Sequence, residues 1–367
     1  MIRIKSNSEL SSFHVVYKGS SLKEVDGQRG LSHLLEHLVC KNYEDLEPEM
    51  ETYGLVCNAY TSDSEVVFFM TGLHEDIKVF AERYFLKLTS GFHATEEIIE
   101  KEKNIVLEEY LDSFNDPTSN NYLNFRRKKF GYYSPIGLAK DIKNCDLSTC
   151  KQLYDSILKT PTNIVYVSPD PYDLDVSMEL KESTLSENLS YVENDKGIAI
   201  EDGPISNKSS VLLSFPVYSS KQYLGEFVSV ALGYGLYSPL YKEIREKKGL
   251  CYYVSCWDDH VGKDNRLMMI ETTVSKGKEE QVLSTVNEIL STPKEHLTEE
   301  RFNTTVAIIK RKILKRKQSP QSSSNLSEYI EEKDTLLSNH IDNITYEDVI
   351  NFITENMNPD KLEKSIF

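Results

Sequence analysis

The sequence predicts an α+β fold made of two homologous domains, and three observations lead to that prediction. Its 367 residues correspond to roughly two domains of ordinary size. Short β-branched and aromatic runs alternate with helical stretches, and the same order of elements returns after a polar segment near the middle. Several predicted strands follow one another without room for a crossover helix, which favours mainly antiparallel sheets packed with helices.

The elements of the first half alternate along the chain. Runs rich in β-branched and aromatic residues predict strands at 13–17, 66–70 and 163–167. Apolar periodicity predicts helices near 30–40, 74–89, 95–113 and 147–158. Together these elements predict a first domain over residues 1–185.

The second half repeats this order beyond a polar segment. Residues 186–209 are rich in Ser, Asn, Glu and Gly and predict a linker. The segments after it predict strands at 211–217 and 267–274 and helices within 221–247, 277–291 and 298–317. A second domain is therefore expected over 210–367, and the repeated order indicates an internal duplication.

The composition excludes several classes of protein. Hydrophobic residues make up 39% of the chain and charged residues 27%, which allows a packed core and excludes wholesale disorder. A formal net charge of −16 argues against a general nucleic-acid binder, because phosphate binding needs basic surface. The apolar runs are too short to span a bilayer and none resembles a secretory signal. We therefore expect a cytoplasmic protein that acts without nucleic acid or membrane.

A candidate metal-binding motif lies in the first predicted helix. His33, Glu36 and His37 share one helical face, and the leucines at 31, 34, 35 and 38 lie on the opposite face. Two histidines four residues apart can both bind one Zn²⁺, which leaves Glu36 to act on metal-bound water. The alternative interpretation is an exposed polar face with ordinary histidines.

A third protein ligand is expected from the helix near 95–113. Glu102 and Glu109 are seven residues apart, nearly two helical turns, so they share a face. That face also carries four apolar residues, namely Ile98, Ile99, Ile105 and Val106. Buried carboxylates are costly unless they are paired or bind a metal. The two helices together therefore predict a metal site.

These motifs resemble those of the pitrilysin-type (insulinase-like, M16) peptidases, whose zinc motif H-x-x-E-H inverts the usual order. The resemblance runs in order along nearly the whole chain. It includes Gly19-Ser20 with Glu24, NAYTS at 58–62, IVLEE at 105–109, LGYG at 232–235 and LYKEIREKKGLCY at 240–252. The spacing between His37 and Glu109 is slightly shorter than is usual for the family. The resemblance implies a LuxS/MPP-like metallohydrolase fold in both domains.

The resemblance also implies the role of each residue in the metal site. His33, His37 and Glu109 become the ligands of one Zn²⁺ per chain. Glu36 becomes the general base that takes a proton from zinc-bound water and passes it to the leaving amine. Glu102 becomes a carboxylate behind the ligands that orients one of them or tunes its basicity.

Four further residues gain a role through the resemblance. Asn58 and Ala59 would lie on an edge strand that holds an extended peptide by β-addition. Arg245 and Tyr252 match a pair that steadies the substrate and the tetrahedral oxyanion. Without the resemblance, a surface arginine and a core tyrosine would be the simpler interpretation of that pair.

The short length of the chain favours an assembly of two copies. Short members of the family carry two domains and form their closed chamber by dimerising, so a homodimer with sites completed in trans is expected. A heterodimer with an inactive sister subunit is the competing arrangement, as in the mitochondrial processing peptidase. The absence of a transit-like N-terminus favours a prokaryotic or viral origin in the cytoplasm.

The sequence therefore predicts a zinc metalloendopeptidase that cleaves peptides or unfolded protein segments inside a dimeric clamshell. Two alternatives remain, a catalytically silent partner or scaffold subunit and a zinc-stabilised peptide-binding protein without turnover. The complete set of His33, Glu36, His37 and Glu109 argues against a silent subunit. The basic run at 310–317 predicts a solvated helix face.

Overall fold

The structure confirms the predicted architecture of two mainly antiparallel sheets packed with helices. It is a computed structural model, and it describes residues 1–131, 134–174, 207–218, 221, 223–261, 265–319 and 338–367. These residues form two compact units. The first contains 1–112, 134–174 and the end of one helix from residue 315, and the second contains 113–131 and the other described residues from 207 onward.

The first unit is built on a five-stranded sheet. Its strands are β1 (Ile2–Lys5), β2 (Leu10–Lys18), β3 (Val56–Thr61), β4 (Glu65–Leu73) and β5 (Asn163–Ser168). They lie in the order β1-β5-β2-β4-β3, and only the β1/β5 pair is parallel. The predicted strands at 13–17, 66–70 and 163–167 are the buried centres of β2, β4 and β5. Strand β3 forms one edge of this sheet.

Helices cover one face of the first sheet and enclose its core. They are α1 (Leu31–Cys40), α2 (Glu47–Thr52), α3 (His74–Leu88), α4 (Glu96–Asn115), α6 (Ala139–Asn144) and α7 (Leu147–Ile157). The leucines predicted to face the core from the first helix are all buried there. Burial of these side chains fixes the rotation of α1 about its axis, because each apolar side chain placed in the core contributes about 2 kcal/mol. The polar face of α1 is thereby turned away from the core.

The second unit is built on a four-stranded antiparallel sheet. Its strands are β6 (Lys208–Pro216), β7 (Cys251–Val261), β8 (Asn265–Ser275) and β9 (Glu363–Ile366), in the order β7-β8-β6-β9. Its helices are α8 (Tyr223–Gly233), α9 (Glu279–Ser291), α10 (Pro293–His296), α11 (Glu299–Gln318) and α12 (Tyr346–Asn356). The helix expected over 221–247 is divided, because α8 ends at Gly233 and a separate π-helical segment spans Tyr241–Lys247.

A helix from the first half of the chain belongs to the second unit. Helix α5 (Pro117–Phe130) is capped by Asp116, whose side chain accepts the Ser119 amide. The Asn121 side-chain amide donates to the backbone carbonyl of Ser210 at 3.1 Å and to that of Ser365 at 3.2 Å. Sequence analysis did not foresee this arrangement, since these contacts join residues far apart in the chain.

Two further expectations from the sequence concern the linker between the domains and whether any helix could span a membrane. The predicted linker at 186–209 falls largely outside the described residues, and the domain boundaries drawn from it stay a prediction. Among the helices in the described ranges, none combines the length and the apolarity that a bilayer crossing requires.

Candidate metal centre and active site

Helix α1 starts at a tightly packed turn that fixes its position. Gly30 precedes the helix with φ +95°, a left-handed conformation that favours glycine. A Cβ on the neighbouring Gly137 would lie 2.2 Å from the Gly30 Cα, so two backbones meet here without side chains. The buried Glu24 carboxylate accepts the Gly30 amide at 2.9 Å and the Ser32 amide at 2.6 Å. These contacts satisfy amides that a helix start leaves unpaired.

Helix α4 supplies the two carboxylates Glu102 and Glu109 to the site. Ile99 and Val106 are buried and anchor the helix against the core. Glu102 is buried as predicted, with 3% of its side chain exposed. The prediction that Glu109 and Ile105 also belong to the buried stripe is wrong, since 45% of the Glu109 side chain and 40% of Ile105 are exposed. Glu109 faces a cavity rather than packed protein, so it is not a buried charge.

The structure brings His33, His37 and Glu109 together. The His33 Nε2 atom lies 3.4 Å from Glu109 Oε2, and His37 Nε2 lies 3.6 Å from Glu109 Oε1. Their candidate ligand atoms all lie within 4.8 Å of one another. In a tetrahedral zinc site with bonds of about 2.1 Å, ligand atoms are separated by about 3.4 Å. Two imidazoles and a carboxylate at these separations fit Zn²⁺ in both chemistry and spacing.

The His33 ring is held in the neutral form that metal binding requires. Burial lowers the pKa of His33 to about 4, and the proximity of His37 lowers it as well. The ring planes of His33 and His37 are almost perpendicular, with centroids 4.9 Å apart. A neutral imidazole keeps the lone pair that a metal ligand donates.

Glu36 lies beside these three residues with a distinct environment. It is 8% exposed and accepts a hydrogen bond of 2.5 Å from the Thr61 hydroxyl. Burial raises the pKa of Glu36 and so does the Glu109 carboxylate, while the Thr61 hydrogen bond and His37 act in the opposite direction. A carboxylate whose pKa is moved toward neutrality is suited to accept and return a proton.

Glu102 contacts the metal-site residues from behind. Its Oε2 atom lies 3.3 Å from His37 Nδ1, and its Oε1 atom lies 3.4 Å from the Lys41 ammonium. A carboxylate on Nδ1 fixes the tautomer that presents Nε2 outward. The role that the resemblance implies for Glu102 stays a prediction.

The cavity above these residues has a volume of about 710 Å³. The three candidate ligands and Glu36 line it together with Asn58, Ala59 and Thr61 of strand β3. Because β3 is the edge of its sheet, it offers backbone groups to an added strand. The Asn58 side chain accepts the Ala59 amide at 2.8 Å, which occupies that donor.

Arg245 and Tyr252 lie in the second unit and contact each other. The Arg245 guanidinium lies 4.5 Å from the Tyr241 ring centroid and 5.0 Å from that of Tyr252. Tyr252 is 81% exposed, so its interpretation as a core tyrosine is wrong. An exposed phenol stacked with a guanidinium presents two donors, which suits contact with an anionic oxygen.

Two residues of the site were missed by sequence reasoning. Thr61 was quoted only as part of the NAYTS segment, and Lys41 received no role. Their signals are weak in one sequence, since a threonine in a strand and a lysine after a helix are ordinary. Only the fold shows that Thr61 reaches Glu36 and that Lys41 reaches Glu102.

Comparisons with known proteins identify the family. A protein-family model described as insulinase (peptidase family M16) matches residues 1–128. A second family model, described as the peptidase M16 inactive domain, matches residues 182–309. Together the two models cover more than two thirds of the chain.

Individual relatives agree with this assignment. The chain is 26% identical to the zinc protease PqqE of Helicobacter pylori over 46% of this chain and 40% of that protein. It is 33% identical to the mitochondrial-processing peptidase subunit beta of Neurospora crassa over 24% of this chain and 20% of that subunit. The chain therefore matches less than half of the length of either relative.

A solved structure agrees over almost the full length. The crystal structure of a protease from Helicobacter pylori superposes with a TM-score of 0.80 at 18% identity, covering 99% of this chain and 95% of that one. Similarity at this level of identity supports the fold. The two family matches and the shared fold lead to one conclusion: the chain belongs to peptidase family M16 and is of its two-domain type.

Proposed function

We propose that this protein is a zinc metalloendopeptidase that cleaves peptides or unfolded protein segments. The observation that carries the proposal is the convergence of His33, His37 and Glu109 at separations of 3.4 and 3.6 Å, with Glu36 beside them. The matches to M16 family models and to a named zinc protease support it. One Zn²⁺ per chain would be held by these three side chains.

The chemistry divides between the metal and the protein. Zn²⁺ held by this set would supply a Lewis acid that polarises a peptide carbonyl and acidifies water. Glu36 accepts the proton of the attacking water and returns it to the leaving amine, since its raised pKa suits both directions of transfer. Thr61 holds the Glu36 carboxylate in place through its hydroxyl. Glu102 fixes the ring of His37.

The substrate would be held as an extended strand. A peptide that pairs with the exposed edge of β3 beside Asn58 and Ala59 lies over the cavity that contains Glu36 and the metal ligands. Recognition through backbone hydrogen bonds favours an unfolded segment, because most strands of a folded protein are already paired within their own sheets. Side-chain preference is then secondary to access.

We further propose that the active form is a homodimer in which Arg245 and Tyr252 complete the site of the partner copy. Support comes from the exposed phenol of Tyr252 and its contact with Arg245, together with the family resemblance. One relative is named as a subunit of a processing peptidase, which makes a heterodimer with a sister protein the competing arrangement.

A quenched fluorescent peptide library tests the peptidase activity directly. Purified protein should cleave the library, a metal chelator should abolish cleavage, and added Zn²⁺ should restore it. The matched control is Glu36→Gln protein prepared in the same way. The alternative of a silent partner subunit predicts that neither preparation cleaves any peptide while zinc is bound. The family model of the second half, described as an inactive domain, is the observation that keeps this alternative under test.

A further inference from the structure

Lys41 lies directly behind the candidate metal centre. It follows the last residue of α1 and starts a short 3₁₀ turn, Lys41–Tyr43, four residues after His37. A separation of four residues places it one helical turn from His37 on the same side. Its side chain lines the edge of the metal-site cavity and is 29% exposed.

The two oxygens of Glu102 have different neighbours. Oε2 lies 3.3 Å from His37 Nδ1, and Oε1 lies 3.4 Å from the Lys41 ammonium. In the described part of the chain, Lys41 is the only lysine or arginine paired with this carboxylate. Because 3% of the Glu102 side chain is exposed, water does little to stabilise its charge. A nearby cation is then the main electrostatic support of the carboxylate.

The Lys41 ammonium is held in place by two carboxylates. Besides Glu102 it lies 3.7 Å from Glu44, whose side chain is 62% exposed. Burial alone would lower the pKa of Lys41, but Glu102 and Glu44 outweigh that effect and raise it. Lys41 is therefore a permanent cation at neutral pH. The ion pair with Glu102 is shielded from water, whereas the ion pair with Glu44 is exposed. Loss of the Glu102 pair therefore has the larger energetic consequence.

We propose that Lys41 is a positioning residue of the metal centre, whose ammonium holds the Glu102 carboxylate so that Glu102 orients the His37 ring toward the metal. The inference rests on the proposed zinc site. The chain of contacts runs from Lys41 through Glu102 to His37 Nδ1, and from His37 Nε2 to the position that faces Glu109. Removal of the cation leaves a buried carboxylate free to turn away from His37 Nδ1. That movement weakens its hold on the imidazole.

A different role for Lys41 is direct contact with substrate, since it also borders the cavity. The two roles predict different measurements. A substrate contact changes KM and leaves the metal affinity alone. A positioning role changes the metal affinity in the absence of any substrate.

The experiment compares Lys41→Met, which removes the charge at similar length, with Lys41→Arg, which keeps it. Lys87→Met is the matched control, because Lys87 pairs with Asp45 at 2.6 Å on an exposed surface. The zinc dissociation constant of each protein is measured by competition with a chromogenic chelator. We expect Lys41→Met to weaken zinc binding by about tenfold, the lower end of the effect seen for residues behind metal ligands. Lys41→Arg should stay within about threefold of wild type and Lys87→Met should equal it.

A double variant tests the route through Glu102. If Lys41 acts on the metal only by holding Glu102, then Lys41→Met should add little to the loss already caused by Glu102→Gln. Fully additive losses would overturn this route. Unchanged zinc affinity in Lys41→Met would overturn the proposal, whatever happens to KM.

A measurement on the metal-free wild-type protein keeps the proposal testable even if the variants do not fold. Nitrogen-15 NMR of the His37 ring should show the proton on Nδ1, bonded to Glu102. A proton on Nε2 would overturn the proposal. If wild-type protein binds no zinc, the proposed function fails, whereas this tautomer measurement still reports on the contact between Glu102 and His37.

Discussion

The hydroxyl of Thr61 donates a hydrogen bond of 2.5 Å to the carboxylate of Glu36. This contact joins the edge strand β3, where a peptide would add, to helix α1, which carries two of the three proposed metal ligands. Thr61 therefore links the proposed substrate-binding strand to the proposed general base. Strand β3 would thus both orient Glu36 through Thr61 and hold a paired peptide next to Glu36.

The first prediction concerns this hydrogen bond. Thr61→Val should retain zinc but lower kcat by about tenfold, because Glu36 loses the donor that orients it. That donor also lowers the pKa of Glu36, so its removal should move the acid limb of the kcat/KM profile to higher pH. Thr61→Ser keeps a hydroxyl and serves as the control with a near wild-type profile. A shift of the limb to lower pH in Thr61→Val would contradict the assignment.

The second prediction concerns the metal ligands. His33→Ala, His37→Ala and Glu109→Ala should each lose zinc, since three protein ligands are the usual set of a catalytic zinc. Elemental analysis of protein dialysed against a weak chelator gives the zinc content per chain. His93→Ala, an exposed histidine outside the cavity, should retain the metal. A full zinc complement in His37→Ala would exclude the proposed ligand set.

The third prediction concerns stability and pH. His14 is buried in strand β2 against the Phe69 ring, 5.2 Å between centroids, and burial lowers its pKa to about 3. Below the unfolded value of 6.5 the unfolded chain binds a proton that the folded chain does not. The free energy of unfolding should therefore fall by about 1.4 kcal/mol per pH unit from this group alone.

Urea unfolding at pH 7 and pH 5 measures this contribution. His14→Phe keeps the aromatic contact and removes the titrating group. Between pH 7 and pH 5 its free energy of unfolding should therefore fall by about 2 kcal/mol less than that of wild type. His93→Gln, which changes an exposed histidine, should behave as wild type does. Equal losses in His14→Phe and wild type would mean that His14 is protonated in the folded protein.

The fourth prediction concerns the homodimer. Glu36→Gln and Tyr252→Phe should each be impaired alone, and mixing them under conditions of subunit exchange should restore roughly a quarter of wild-type activity. Half of the dimers then contain both variants, and one of their two sites combines an intact Glu36 with an intact Tyr252 from the partner. Light scattering confirms the dimers. No recovery in confirmed mixed dimers would mean that each site uses the Tyr252 of its own chain or does not use Tyr252 at all.

The sequence predicted the parts of the fold that depend on local pattern. The leucines of α1 identify their own buried face, because burial is periodic along a helix. The continuous apolar runs of β2 and β4 identify buried strands. The position of α5 in the second unit depends on Asn121 meeting Ser210 and Ser365, which no local pattern records. The parallel pairing of β1 with β5 is hidden for the same reason.

The candidate site shows the same division. His33, Glu36 and His37 were found from spacing within one helix, and Glu109 from spacing and family resemblance. The assumed burial of Glu109 was wrong because helix periodicity does not distinguish a face against protein from a face against a cavity. Thr61 and Lys41 act through contacts between separate elements, so only the structure indicates them.

The most direct test of the account is the zinc content and peptidase rate of Glu36→Gln measured on one preparation. We predict a full zinc complement, an unchanged fold and a rate lower than wild type by several orders of magnitude, because an amide cannot accept the proton that a carboxylate accepts. Cleavage at a near wild-type rate by zinc-loaded Glu36→Gln would contradict the role of Glu36 as general base. Absence of zinc from both the wild-type and the Glu36→Gln protein would contradict the metal centre itself.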